Sequence, residues 1–391
     1  MWLFGSLFTL GINQTLLIAL LPQIAVLFNV DAQSHQLGLI AIAINVNLIS
    51  YWVGSGIWGK YLNRISLTQA YWIAGIGYIT CHILFIAALF HLSSPQLWLA
   101  ALSRFGLGLF SSAFMPIGQT YLTHKRPAEL NNISKLSGIA TLGRLLGPTL
   151  VFLPLGLSNI LLLTLLPIGV SLLFIKWLAK NDLNLTFIPN HTKAVSSIKL
   201  AQAYKLTFLT ACLTTMLVAI YQLMLVPYLS KLGLNSQQIS NYLAGMMLAI
   251  SSLMTINQMW LTPKLLARPT LIWHFISWPL AFCGYILATF EHSLITLIIF
   301  STALTIALSN LPAWYSKQLL FVNRDTPHTS QLSGLLAQSH SSGHLIGTAL
   351  ASLAVYLNIN AEYLLIMFIS ILVLSAVLLK RQHLTQASIV N

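Results

Sequence analysis

The sequence predicts an all-α integral membrane protein: twelve transmembrane helices in two pseudo-symmetric six-helix bundles. Three observations predict it. Hydrophobic residues make up 57% of the 391 residues and charged residues only 6%, against about 25% charged in a soluble domain. Basic residues recur in alternate loops. Two stretches of the chain are written twice.

The apolar runs come close to the ~20 residues that cross a bilayer as a helix. Spans are expected at 2–22, 36–57, 69–91, 97–119, 134–155 and 159–179. After a polar stretch come spans at 205–229, 238–261, 270–290, 294–315, 329–356 and 362–380. Residues 1–180 would form the first bundle, 181–204 a cytoplasmic linker, and 205–391 the second bundle. The eleventh run exceeds one crossing, so it is expected to tilt or to begin as a cytoplasmic turn.

Numbering the spans with the N-terminus inside puts sixteen of the nineteen Lys and Arg on the cytoplasmic side, from Lys60 and Arg64 to Lys380 and Arg381. Lys231 alone falls outside, while Arg104 and Arg144 fall within spans. Basic residues in short loops set orientation in this way, so both termini are expected in the cytoplasm. The chain enters its first span at once, without a basic leader, and no cleaved signal peptide is expected. The net charge of +13 is thereby explained by topology, and no nucleic-acid partner is expected.

Other motifs are excluded by context. Gly54-Ser55-Gly56-Ile57-Trp58-Gly59-Lys60-Tyr61 falls short of a nucleotide-binding loop, because Tyr61 stands where Ser or Thr would hold Mg²⁺ and no strand precedes it. The glycosylation patterns at Asn184 and Asn190 lie in the predicted cytoplasmic linker. Cys81, Cys212 and Cys283 lie inside spans and read as core residues, not disulfides. No loop is long enough for a catalytic domain, so no enzyme and no cofactor is expected.

The repeat points to function. Gly143-Arg144-Leu145-Leu146-Gly147-Pro148 returns 200 residues on as Gly343-His344-Leu345-Ile346-Gly347-Thr348. Ser134-Lys135-Leu136-Ser137-Gly138 returns 196 residues on as Ser330-Gln331-Leu332-Ser333-Gly334, and Pro116 and Pro312 keep that second offset. Duplicated halves in so apolar a chain indicate a transporter that works by moving one repeat against the other.

Ionisable residues at bilayer depth are costly and mark function. The six acids, Asp31, Glu129, Asp182, Glu291, Asp325 and Glu362, all fall in loops or at span edges. Arg104 and Arg144 lie deep, and arginine keeps its charge throughout the physiological range. Two fixed cations with no membrane acid call for an anionic guest, bound near the membrane midplane. The aligned repeat puts His344 at the place of Arg144, with His340 one turn earlier on the same face. Histidine titrates near neutral pH, so these two are the candidates for proton coupling. Two ligands alone do not make a metal site, and none is expected. His82 and His274 read as core or interfacial residues. Asn13, Gln14, Tyr221, Gln222, Asn310 and Trp314 are the polar and aromatic candidates for substrate contact, each of which could equally join helices to one another.

Twelve spans, a six-plus-six repeat and a basic central loop resemble the major facilitator superfamily over essentially the whole chain. Gly143-x3-Gly147-Pro148 is similar to the glycine-proline signature of its exporters, of the drug–proton antiporter type. The resemblance assigns Gly143, Gly147 and Pro148 to gating. Arg104-x3-Gly108 is similar to the family's buried-arginine motif. The stretch from Gly56 to Arg64 resembles its loop between spans two and three, which assigns Lys60 and Arg64 to gating. Lys60 departs from the Asp usual there. Among family members, exporters of citrate-based siderophores resemble this chain in length, short loops and the Gly-Arg-x-x-Gly-Pro stretch. The resemblance implies a monomeric exporter of a small organic anion in the inner (plasma) membrane, driven by protons. Two alternatives stay open at this point: an exporter of lipophilic or cationic drugs, and an importer of a metabolite or iron chelate.

Overall fold

The computed structural model describes residues 3–29, 40, 43–90, 95–125, 127–181, 196–231, 236–289, 293–323, 326, 328–356 and 361–390. Asp31, Asp182, Asn184, Asn190, Glu291 and Asp325 lie outside the described residues. Every regular element among those described is helical. In order they are α1 (Phe4–Leu27), α2 (Asn47–Tyr61), α3 (Leu67–Phe90), α4 (Leu97–Ser111), α5 (Phe114–Lys125), α6 (Ile133–Leu146), α7 (Leu157–Leu163) and α8 (Leu166–Asn181). There follow α9 (Ser197–Ala203), α10 (Lys205–Lys231), α11 (Ser236–Ile256), α12 (Thr262–Leu266), α13 (Pro269–Thr289), α14 (Leu294–Val322), α15 (Thr329–Tyr356) and α16 (Ala361–Val390). Helices fall on all twelve predicted spans. Among the described residues, seven helical segments are long and apolar enough to cross a membrane.

Prolines explain where spans break. A proline lacks an N–H and its ring collides with the carbonyl four residues earlier. Pro116 thus separates α4 from α5 around Ser112, and Pro167 separates α7 from α8 near Thr164. Pro263 opens the helix into a π-turn over Asn257–Leu261, where the Thr262 N–H reaches back five residues to the Asn257 carbonyl. Pro148 follows the end of α6 at Leu146, inside the span expected at 134–155, and the chain continues as a 3₁₀ turn over Pro148–Phe152. Pro279 and Pro312 remain inside α13 and α14.

Packing divides the chain into two units. The first comprises Met1–Leu130, Leu136–Ala194 and Asn323–Gln338; the second comprises Asn131–Lys135, Val195–Val322 and Ser339–Asn391. Two short stretches, Asn131–Lys135 and Asn323–Gln338, cluster with the unit other than that of their neighbours in the chain. Helix α15 runs unbroken from Thr329 to Tyr356, and its first turns, to Gln338, pack within the first unit.

In the first unit α4 packs against α2 and α3, and α1 against α8. The core there is formed by Ile12, Leu16, Leu20 and Ile24 of α1 with Phe85, Ile86 and Leu89 of α3 and Ile160 and Leu161 of α7. In the second unit α13 packs on α14 and α16, α10 on α16, and α11 on α14. Outward-facing positions are also apolar: Trp98, Leu173, Trp278 and Ile295 are all exposed. An apolar exterior over an equally apolar interior is what lipid selects.

Candidate functional site

Arg144 lies in the last turn of α6. Small residues bring that turn onto α1: a Cβ at Gly147 would lie 2.7 Å from the Ile12 carbonyl oxygen, and one at Gly143 would collide with the Phe8 carbonyl. Pro148 cannot donate to the carbonyl of Arg144. The Thr15 hydroxyl donates to it instead, at 2.9 Å. The Arg144 side chain is solvent-accessible. Its Nε donates to Gln14 Oε1 at 2.8 Å, which leaves both terminal nitrogens without a partner among the described residues. Tyr51 of α2 lies within electrostatic reach of this charge. The result is an accessible cation held by an amide, of a kind able to bond an anion.

The second unit repeats this construction with a different residue. A Cβ at Gly343 would collide with the Cys212 carbonyl and the Thr215 hydroxyl, as one at Gly147 meets Ile12 and Thr15. Thr215 donates to the carbonyl of His340 at 2.7 Å. Thr15 and Thr215, like Ile12 and Cys212, are 200 residues apart, whereas Gly147 and Gly343 are 196 apart. The structural counterpart of Arg144 is therefore His340. This corrects the sequence alignment, which put His344 there; His344 is the counterpart of Pro148. The His340 Nε2 and the Tyr315 hydroxyl are 2.7 Å apart in hydrogen-bond contact, and Tyr315 also bonds the Thr214 side chain. Tyr315 is fully buried, while His340 is partly accessible. The carbonyl of His344 accepts from Thr348 at 2.8 Å.

The remaining predicted contacts occupy different surroundings. Arg104 is buried against its own unit: its Nε donates to the Ile44 carbonyl at 2.8 Å and its guanidinium stands over the Phe85 ring. It lies within electrostatic reach of Tyr78 and His82. Asn13 donates to the Tyr78 hydroxyl at 2.6 Å and accepts from Thr164 at 3.3 Å. His82 completes this buried polar cluster, with its Nε2 donating to the Leu161 carbonyl at 3.1 Å. Tyr221 donates to Ser301 Oγ at 2.6 Å. Asn310 is fully buried and accepts from Thr262 at 2.8 Å. Trp314 is buried against Trp273. Gln14 is half-buried beside Arg144, and Gln222 is exposed.

Lys60 and Arg64 are both exposed at the end of α2. The buried face of that end meets the start of α15. A Cβ at Gly334 would lie 2.7 Å from the Gly59 Cα. Ser330 donates to Asn63 Oδ1, and Gln338 Nε2 donates to the Trp52 carbonyl at 3.1 Å. Sequence reasoning missed Asn63, Thr15 and Thr215. The signals were present: Ser330-x3-Gly334 is a small-residue pair at the spacing that lets helices touch, and the two threonines are one repeat apart.

The profile of the Major Facilitator Superfamily matches residues 3–348. Among solved structures, FucP, a transporter of that superfamily, in its outward conformation aligns with a TM-score of 0.73 at 15% identity, covering 97% of each chain. The human organic anion transporter MFSD10 (TETRAN) aligns with a TM-score of 0.70 at 17% identity, over 97% of this chain and 98% of that one. A bacterial homologue of the iron transporter ferroportin, in an outward-facing state, aligns with a TM-score of 0.67 at 15% identity, over 99% and 98%. At these identities the likeness is one of fold. No curated protein matches by sequence.

Proposed function

Since the chain belongs to the Major Facilitator Superfamily, and is therefore a multi-pass membrane transporter of small molecules and not an enzyme, we propose that it exports a small organic anion bearing several carboxylates, of the kind found in citrate-based siderophores. Arg144 carries this reading. Its guanidinium is accessible, is oriented by Gln14, and is paired with no acid among the described residues. Arginine presents a planar fork of donors that matches a carboxylate. The fold's likeness to an organic anion transporter is compatible with that substrate class, and the Gly-Arg-x-x-Gly-Pro stretch favours export.

Protons drive the cycle in this reading, through His340. It occupies the Arg144 position of the second repeat and is in contact with Tyr315. One repeat thus contributes a charge that is always present, and the other contributes a charge that comes and goes with pH. The alternation of basic loops supports termini in the cytoplasm; in this reading the protein works in the inner membrane as a monomer.

The test is to profile the medium of cells grown under iron limitation with and without this gene, and with an Arg144→Ala variant. An anionic metabolite that accumulates outside only with the unaltered chain supports the reading. Equal secretion by the variant contradicts it.

A further inference from the structure

The corner joining α2 to α3 carries a feature that the proposed anion site at Arg144 does not use. A cleft of about 460 Å³ opens there, lined by Tyr61, Ile65, Thr68, Gln69, Trp72 and Ile73. The corner is held rigidly. Ser66 Oγ accepts from the Gln69 N–H at 3.1 Å, and Gln69 Oε1 accepts from the Ser66 N–H at 3.3 Å, a reciprocal cap at the start of α3. The Arg64 N–H donates to the Tyr61 carbonyl at 2.8 Å. Tyr61 packs edge-on against Trp58, whose indole N–H is tied to the Leu109 carbonyl at 2.9 Å.

Chemistry divides this cleft in two. Ile65, Trp72 and Ile73 supply apolar surface, and Tyr61 and Trp72 are the residue types that settle where hydrocarbon meets headgroups. Lys60 and Arg64 flank the lining residues in the chain, and both are exposed. No acidic residue occurs between Asp31 and Glu129, so this stretch supplies no counter-charge of its own. An occupant that suits both the apolar lining and the basic residues beside it in the chain combines an apolar tail with an anionic head.

We infer that this corner binds an acidic phospholipid of the leaflet it faces, with the phosphate at Arg64 and Lys60 and an acyl chain against Trp72 and Ile73. Basic residues near a membrane surface each favour anionic lipid by about fivefold, and an additive pair by about 25- to 30-fold. The site is separate from Arg144, so its failure leaves the proposed transport function untouched.

Quenching of tryptophan fluorescence tests it. Full-length protein is reconstituted into phosphatidylcholine nanodiscs containing a minor fraction of either brominated phosphatidylglycerol or brominated phosphatidylcholine. The inference expects more quenching from the phosphatidylglycerol, with the excess lost in Trp72→Phe, lost in the Lys60→Gln/Arg64→Gln double variant, and weakened by salt. Neither variant touches the core, and circular dichroism confirms that each is folded. Equal quenching by the two lipids overturns the inference, as does an excess that survives in either variant. Displacement of the excess by soluble glycerol phosphate also overturns it, because the site would then take a free phosphate and not a lipid.

Discussion

Arg144 and His340 hold the same place in their respective units: each offers its backbone carbonyl to a threonine hydroxyl one repeat apart, Thr15 at 2.9 Å and Thr215 at 2.7 Å. In the first unit the hydroxyl replaces the hydrogen bond that Pro148 cannot make. In the second, residue 344 is a histidine with an intact N–H, so the helix continues and the threonine bond is additional. The repeat has kept the scaffold and changed the chemistry presented on it.

Replacing Arg144 removes a charge-assisted contact to substrate. Such contacts contribute about 1.5–3 kcal/mol, which is roughly 10- to 150-fold in affinity. Arg144→Ala should raise KM for the anion by this order. Arg144→Lys should recover part of the loss, because the charge stays and the planar fork goes. Uptake into proteoliposomes at varied substrate concentration measures both. Gln14→Ala should have a smaller effect in the same direction, since Gln14 orients the guanidinium and carries no charge.

His340→Gln should flatten the pH dependence of transport, because it removes the titratable ring in contact with Tyr315. Tyr315→Phe should displace that dependence while leaving transport measurable, because it removes the hydroxyl on Nε2 and keeps the ring. His344→Gln should leave the profile intact, as expected of a residue at the proline position of the repeat. Transport rates across a series of external pH values decide among these. A flat profile from His344→Gln would return the role to that residue.

Glycines at the two crossings should tolerate no side chain. Gly147→Val and Gly343→Val place carbon against Ile12 and Cys212 carbonyls, and overpacking of this kind costs about 1–3 kcal/mol. Gly169 and Gly284, which have open space around them, provide the control: alanine there should be neutral, or stabilising by about 0.5–1 kcal/mol through helix propensity. Thermal unfolding of purified protein in detergent reports the difference.

Gly334→Val should loosen the contact of α15 with α2, since its side chain would meet the Gly59 Cα and the Ser55 carbonyl. A cysteine introduced at Ser330, buried in the native chain, should then react with a maleimide at least about tenfold faster, by analogy with the cost of overpacking above. Cys81, Cys212 and Cys283 would be replaced beforehand.

The fold was legible because lipid imposes simple demands: long apolar runs and basic residues in alternate loops. The pairing of Arg144 with its counterpart was not. Gly143-x3-Gly147 matches Gly343-x3-Gly347 at one offset, while Gly147 matches Gly343 at another. Only the neighbours each glycine touches choose between them. The surroundings of Asn13, Tyr221, Asn310 and Trp314 were illegible for a different reason. A helix that is apolar all round has no polar face to mark its inner side, so a buried amide joining helices reads the same as one awaiting a ligand. Arg104 was conspicuous as a buried charge, and its bond to the Ile44 carbonyl is a feature no sequence pattern reveals.

The most direct test of the account is counterflow in proteoliposomes loaded with a citrate-type tricarboxylate, comparing the unaltered chain with Arg144→Ala. The account predicts saturable exchange of labelled tricarboxylate by the former and little or none by the latter. Exchange at equal rates by both, or exchange confined to cationic solutes, would contradict it.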